Sequence, residues 1–208
     1  MAVVAAVAIF SCACTGKGSN DGTTSLTNAP SASDSETPSP SNLPYAGAPP
    51  VASPLPASAL SGNPCVDALP SAKAEEFLGA PLKTERNDNP EFGAGCSWAN
   101  QDRGSQIGVT YDTKTGSGLS GVFQNTQPQS GIWKPLSEIQ GFPAVAHAGT
   151  KGTTPRDYCQ VSIGLANDLS ADVTLNLGTA KVGTVDPCDG AADVANAVVV
   201  SLKAKAGS

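Results

Sequence analysis

The stretch YCQVSIGLANDLSADVTLNL, residues 158–177, decides the fold. Tyr158 to Leu165 and Leu169 to Leu177 are two apolar-rich runs separated by Ala166-Asn167-Asp168, so together they read as a β-hairpin. In the second run Val173, Leu175 and Leu177 alternate with Asp172, Thr174 and Asn176. Successive strand side chains point to opposite faces, which makes one face apolar and the other wet. That pattern belongs to an antiparallel sheet covered on one side. The cover follows directly, in DPCDGAADVANAVVVSL (186–202). Asp186 can cap a helix, Pro187 fits its first position, and Asp189 adds negative charge at the positive end of the dipole. Ala191, Val194, Ala195, Val198 and Leu202 fall on one helical stripe, with Lys203 and Lys205 suiting the far end.

Upstream, the same reading gives a smaller helix and several strands. Pro64-Cys65-Val66-Asp67-Ala68-Leu69 reads as a turn leading to a helix with Pro70 at its first position, Leu78 near its end and Gly79 as the stop. Ala74, Phe77 and Leu78 share its apolar face, and Lys73, Glu75 and Glu76 face water. Leu82 to Arg86 is expected as an edge strand, and Asn87 to Gly95 as a loop. Cys96-Ser97-Trp98-Ala99 opens the next strand, Asn100 to Gly104 turns it, and Ile107, Val109 and Tyr111 alternate along its partner. Thr113 to Gly121 is read as a glycine-rich loop before a short helix through Val122 and Phe123. Trp133 to Ile139 is expected as a strand or a covering segment.

Six cysteines are present, two near the start and four spread through the body. Cys65, Cys96, Cys159 and Cys188 are widely spaced, with no CxxC pair and a single histidine, so disulfides rather than zinc are expected. Chain direction selects the pairing. The first helix runs away from Cys65 and the edge strand returns, bringing Cys96 back to it. The hairpin carries the chain from Cys159 out and back to Cys188. The expected bridges are therefore Cys65–Cys96 and Cys159–Cys188.

The start of the chain has a different character. MAVVAAVAIF (1–10) is an uninterrupted apolar run, followed by Ser11-Cys12-Ala13-Cys14. It is too short to span a bilayer, which needs about 20 apolar residues, but suits the apolar core of a signal peptide. With Ile9 three residues before it and small Ser11 just before it, Cys12 fits a lipobox, and Cys14, with Ala13 before it, is the alternative lipid carrier. A signal peptide needs a basic start, and no Lys or Arg precedes the run. The expectation is that Met1 is not the true initiator or that the chain has been trimmed. From Thr15 onward the chain is rich in Ser, Thr, Ala and Gly, with nine prolines from Pro30 to Pro64. Such a stretch buries too little apolar surface to offset its ordering entropy, so a disordered stalk is expected. The organisation expected is a signal and lipobox region at 1–14, a stalk at 15–60 and one domain at 61–208.

The pieces "NPC" at 63–65, "FLG" at 77–79, "GCSW" at 95–98, "GFPAVA" at 141–146, "YCQVSIGL" at 158–165 and "DPCDGAADVANAVVVSL" at 186–202 occur in an order that resembles an actinobacterial lipoprotein family catalogued only as domain of unknown function 3558. The resemblance covers Asn63 to Leu202. It implies an anchored, exported domain and brings no activity with it. Leu69-Pro70-Ser71 departs from the family's usual leucine followed by threonine, at the start of the first helix.

Composition and motifs exclude several functions. A net charge of −6 and a pI near 4.6 argue against a nucleic-acid partner and against attraction to anionic head groups. Gly116-Ser117-Gly118-Leu119-Ser120-Gly121 matches GxGxxG, with Glu138 near the spacing of a ribose-binding acid. A dinucleotide site, however, needs a parallel βαβ unit, so a flexible loop is the better reading. His147 could act as a base oriented by Asp157 or Asp168, but no nucleophile signature accompanies it, and a surface or loop position is expected. Glu75-Glu76 and Asp186/Asp189 sit where helices favour acids. Trp98 and Trp133 are expected in the core rather than in a ligand groove. No residue set is expected to be catalytic, to bind a metal or to hold a cofactor.

The sequence thus leads to an α+β domain: an antiparallel sheet of five or six strands, N- and C-terminal helices packed on one face, and two disulfides. The expected role is an extracytoplasmic binding or accessory module on the outer face of the cell membrane. A small apolar ligand or an envelope protein would be its partner beyond the membrane itself. A hydrolase of envelope polymer and a structural or inhibitory module are the alternatives. The anchor is testable by fractionation. Cys12→Ser is expected to move the protein from membranes to medium or leave it unprocessed; the same result from Cys14→Ser alone would shift the anchor there, and no effect from either would remove it.

Overall fold

The computed structural model describes residues 42–207. The lipobox cysteines Cys12 and Cys14 and the first part of the expected stalk lie outside them. The strands are β1 (Lys83–Arg86), β2 (Gly95–Asn100), β3 (Ser105–Asp112), β4 (Ser130–Pro135), β5 (Ala144–Thr150), β6 (Tyr158–Gly164) and β7 (Ser170–Asn176). They form one sheet in the order β1-β2-β3-β7-β6-β5-β4, with every neighbouring pair antiparallel. The helices are α1 (Pro64–Asp67), α2 (Ser71–Leu78), α3 (Gly118–Asn125) and α4 (Pro187–Ala206).

The fold is α+β, with seven strands rather than five or six. The strand whose bounds sequence pattern leaves unset is β5, AVAHAGT, legible only as an alanine-rich strand leading to His147. Its first five residues are all buried, because it lies inside the sheet between β4 and β6 and is covered above and below. A strand buried on both faces loses the alternation by which strands are recognised, and an alanine-rich one also lacks β-branched bulk.

The hairpin is β6–β7, with Gly164 opposite Ser170. Its apolar face, from Cys159, Val161 and Ile163 to Val173 and Leu175, packs on α4 together with Ile107 and Val109 of β3. The α4 stripe is buried as expected, joined by Val199. Asp186 accepts from the Cys188 N–H at 2.8 Å, closing the N-terminus of α4. Pro70 stands just before α2 rather than inside it, its carbonyl accepting from Lys73 and Ala74 N–H. Trp98 is buried in this core. Lys205 of α4 meets Asp67 of α1 at 2.7 Å, tying the two helical ends of this layer together.

The disulfides are Cys65–Cys96 and Cys159–Cys188, with Cα separations of 5.2 and 5.0 Å. Each fastens a helix start on the apolar face to the strand beneath it.

The domain begins before residue 61. Residues 42–60, expected in the stalk, run over the hairpin tip and bury Ala48, Val51, Ala59 and Leu60. Tyr45 N–H donates to Ser120 Oγ at 3.0 Å, Val51 N–H to Asn167 Oδ1 at 2.9 Å, and Leu55 N–H to the Leu165 carbonyl at 2.8 Å. Composition misreads this strap because prolines lower the cost of ordering it. They have no N–H to satisfy and little backbone freedom to lose, so a few apolar pins suffice.

Each disulfide closes a loop of about 30 residues, with separations of 31 and 29. On chain-entropy grounds, the Cys159→Ala/Cys188→Ala variant is expected to lose about 3 to 4 kcal/mol in denaturant titration, and the Cys65/Cys96 pair a similar amount.

Candidate functional site

The second face of the sheet is where the titratable side chains collect. Strand parity places Tyr158, Gln160 and Ser162 of β6, Asp172 and Thr174 of β7, Thr110 and Asp112 of β3, and Val145 and His147 of β5 on this side. At the hairpin tip it is roofed by α3 and the strap, with Leu119, Ala48 and Val145 forming a small apolar cluster. Gly118 makes that roof possible. Its φ of +50 is unfavourable for an L side chain, and a Cβ there would collide with the Asn167 carbonyl. The GxGxxG match is therefore a bend at Gly116 followed by the first turn of α3 from Gly118 rather than a flexible loop, and Glu138 is exposed and not among the cleft-lining residues. No parallel strand pair is present among the named strands, so a dinucleotide fold has no footing.

Beside this roof a cleft of about 600 Å³ opens over β3, β7, β6 and β5. Asn89, Asn125, Thr110, Thr174, Gln160 and Tyr158 line it, with Asp112, Asp172 and His147. None of its lining residues is Lys or Arg. Phe92, 37% exposed, stands at its margin.

A row of hydrogen bonds crosses its floor. Tyr158 OH donates to Gln160 Oε1 at 3.3 Å, and the Gln160 side chain bonds Asp172 in turn. Ser162 Oγ donates to Asp172 Oδ1 at 2.5 Å and lies 3.0 Å from His147 Nε2. With Asp172 ionised, Ser162 gives its single proton to the carboxylate. His147 Nε2 then carries the hydrogen that points at Ser162. Beyond His147 the row ends in aromatic contacts: Trp133 stacks on the imidazole at 5.9 Å, and Phe123 meets Trp133 edge-on at 5.0 Å. Trp133 is thus a partly buried wall of this layer, not part of the main core.

Burial sets the protonation of the row. It pushes His147 down to about 4, so the imidazole is neutral near pH 7. Burial raises the Asp172 carboxyl, against the hydrogen bonds from Ser162 and Gln160, and the charge of Asp112 adds to the rise. Tyr158 is raised by burial and then by Asp172.

His147 is only 7% exposed, in contrast to the surface or loop position expected from sequence. Asp157 and Asp168 are exposed at the foot and tip of the hairpin, and His147 bonds Ser162 instead of either. The parity of the expected hairpin already put Asp172 on the wet face. Ser162, Gln160 and Tyr158 share that face, but nothing in the sequence announces that His147 would sit beside them. Glu75 and Glu76 are exposed, and Lys73 pairs with Glu76; Asp189 pairs with Lys134 at 2.9 Å. Among the described residues no group of three or more His, Cys, Asp or Glu side chains could hold a metal ion.

The set contains Ser, His and Asp, and with Asp172 ionised its polarity is the reverse of a nucleophilic triad: the serine proton goes to Asp172 and the imidazole is the donor. Ser162 is also fully buried and does not line the cleft. Asp112 is similarly occupied, accepting from Lys114 N–H, Thr115 N–H and Thr115 Oγ. The cleft thus presents amides, hydroxyls and carboxylates held in place by these bonds.

A family model described as "Protein of unknown function (DUF3558)" matches residues 9–201. No curated protein and no solved structure matches.

The histidine makes a pH prediction. Between pH 6.5 and about 4 the unfolded chain binds a proton at His147 that the folded chain refuses, so stability falls as pH falls through this window. The full effect is about 3 kcal/mol. Asp172 works in the opposite direction, since its raised carboxyl binds a proton more readily folded than unfolded. Thermal melts from pH 7 to 4 are expected to show a smaller acid loss for His147→Gln than for the wild type. An equal loss in both would exclude the histidine as its source.

Proposed function

The chain belongs to the DUF3558 family, and from its cleft we propose that it is an extracytoplasmic, lipid-anchored module that binds a neutral, hydroxyl-rich component of the cell envelope. The observation that carries this is the cleft floor, where Tyr158, Gln160, Asp172 and Ser162 are fixed by one another, and Asp112 by Lys114 and Thr115, before any ligand arrives. Preorganised polar groups lose little freedom on binding. With no cationic side chain in the lining, an anionic ligand would meet uncompensated carboxylates. Hydroxyl groups, which donate and accept, suit Asn, Gln, Thr and Asp partners, while Phe92 and Tyr158 offer faces to apolar C–H surface.

Two disulfides point to an oxidising compartment outside the cytoplasm. Among the described residues no helix is long and apolar enough to cross a membrane. The lipid on Cys12, or on Cys14, supplies the attachment in this proposal.

The test is native mass spectrometry of the full-length protein released from its own envelope, followed by calorimetry with neutral oligosaccharides from that envelope. Saturable binding is expected, and Thr110→Arg, which puts a long cation on the cleft floor, is expected to weaken it at least about tenfold with the fold intact by circular dichroism. Loss of mass from the polymer on incubation, abolished in Asp172→Asn, would favour a hydrolase instead. Neither binding nor cleavage would sink the cleft as a site.

A further inference from the structure

The helix-covered face holds a second concavity, independent of the cleft. It measures about 470 Å³, within the roughly 300–1,000 Å³ range of small-molecule sites, and lies between the end of α2, the start of β3, the end of β7 and the first turns of α4. Phe77, Leu78, Leu175, Leu177, Val185 and Val194 form its walls. Val185 is 40% exposed there, a large apolar side chain left facing solvent. One polar group is enclosed with them. Ser105, at the start of β3, is 8% exposed, and its Oγ has no hydrogen-bond partner among the described residues. Strand parity turns it toward the helix layer, with Ile107 and Val109, and it lines the groove. A buried hydroxyl is ordinarily paired, so an unpaired one in an open groove marks the position of a missing partner.

Two features keep the groove open. Gly190 occupies an early turn of α4, where alanine would make a better helix, and a Cβ there would stand 2.7 Å from Leu175 Cδ2. At the opposite wall, buried Asn100 donates to the Leu78 and Gly79 carbonyls and accepts from the Arg103 N–H. It thereby fixes the end of α2 and the turn that forms the mouth. The charges lining that mouth are Asp102, Asp193, Arg103 and Lys181, all exposed and none in an ion pair with a described residue. Two carboxylates and two cations cancel, so the mouth favours neither sign.

We propose that this groove is a binding site for a small uncharged amphiphile, with an apolar tail against Leu175, Leu177 and Val194 and one oxygen hydrogen-bonded to Ser105. The neutral head follows from the balanced mouth, and the single oxygen from Ser105, the one buried unpaired hydroxyl among the residues that line the groove.

The test compares three probes with one tail and different heads: 1-octanol, octanoate and octylammonium, titrated into the oxidised protein and followed by methyl and amide NMR. Octanol is expected to bind most tightly of the three and to shift the methyls of Leu175, Leu177 and Val194 saturably. Ser105→Ala is expected to weaken octanol about 5- to 10-fold, the loss of one hydrogen bond. The same substitution should leave the melting temperature of the free protein unchanged or raise it, because it removes a hydroxyl that has no partner to lose. Tighter binding of either charged probe would overturn the neutral head. Unchanged octanol affinity in Ser105→Ala would overturn the role of the serine, and absence of saturable shifts at those methyls would overturn the site. Shifts confined to Val122 and His147 would put the probe in the cleft and likewise overturn the groove.

Discussion

The seating of α4 across the hairpin is the contact on which the rest of the domain depends. Val194, Val198 and Leu202 bury against Val161, Val173 and their neighbours, and Cys159–Cys188 locks the start of the helix to the strand beneath it. The burial supplies the driving force, because it removes a broad apolar area from water. The disulfide supplies the register, since a helix fixed at one end can slide only by breaking its contacts along the whole stripe. Once β6 and β7 are held this way, β3 and β5 are templated on either side, and parity fixes what each places above and below.

Parity is also why the second face could become a site. The strands that give Val161, Ile163, Val173 and Leu175 to the core must give Gln160, Ser162, Asp172 and Thr174 to the other side. Full exposure would have left them solvated and unremarkable. The roof of α3 and the strap instead takes part of this face out of water, and buried polar groups must then find partners. The row from Tyr158 to His147 satisfies that requirement within the protein. A neutral imidazole, a carboxyl raised by burial and a serine held between them all follow from that partial cover.

Much of this was legible in the sequence, and the parts that were not share a cause. The hairpin, α4 with its Asp186 cap and the alternation of Ile107, Val109 and Tyr111 all rest on local pattern or capping chemistry, and they stand where that chemistry puts them. β5 was left without bounds because double burial erases alternation. The strap escaped because composition averages over residues 42–60, while a few positions, Ala48, Val51 and Leu60 among them, make the decisive contacts. His147 was misplaced for a related reason. Its burial is set by Ser162 and Trp133, 15 and 14 positions away in the chain. No window of local sequence contains that information.

The two concavities use opposite sides of the same strands. On β7, Asp172 and Thr174 face the cleft while Leu175 lines the groove; on β3, Thr110 and Asp112 face the cleft while Ser105 looks the other way. Each side chain is committed to one face by the alternation, so the chemistry of one site cannot leak into the other. A ligand with both a sugar-like part and an apolar part could not reach both from one position, because the continuous sheet lies between them. As proposed, the polar cleft and the apolar groove would therefore take separate molecules, or separate ends of a ligand long enough to pass around a sheet edge. The sheet has two edges, the short, fully exposed β1 and, next to β5 of the cleft floor, β4, so any such molecule would have to pass one of these two strands.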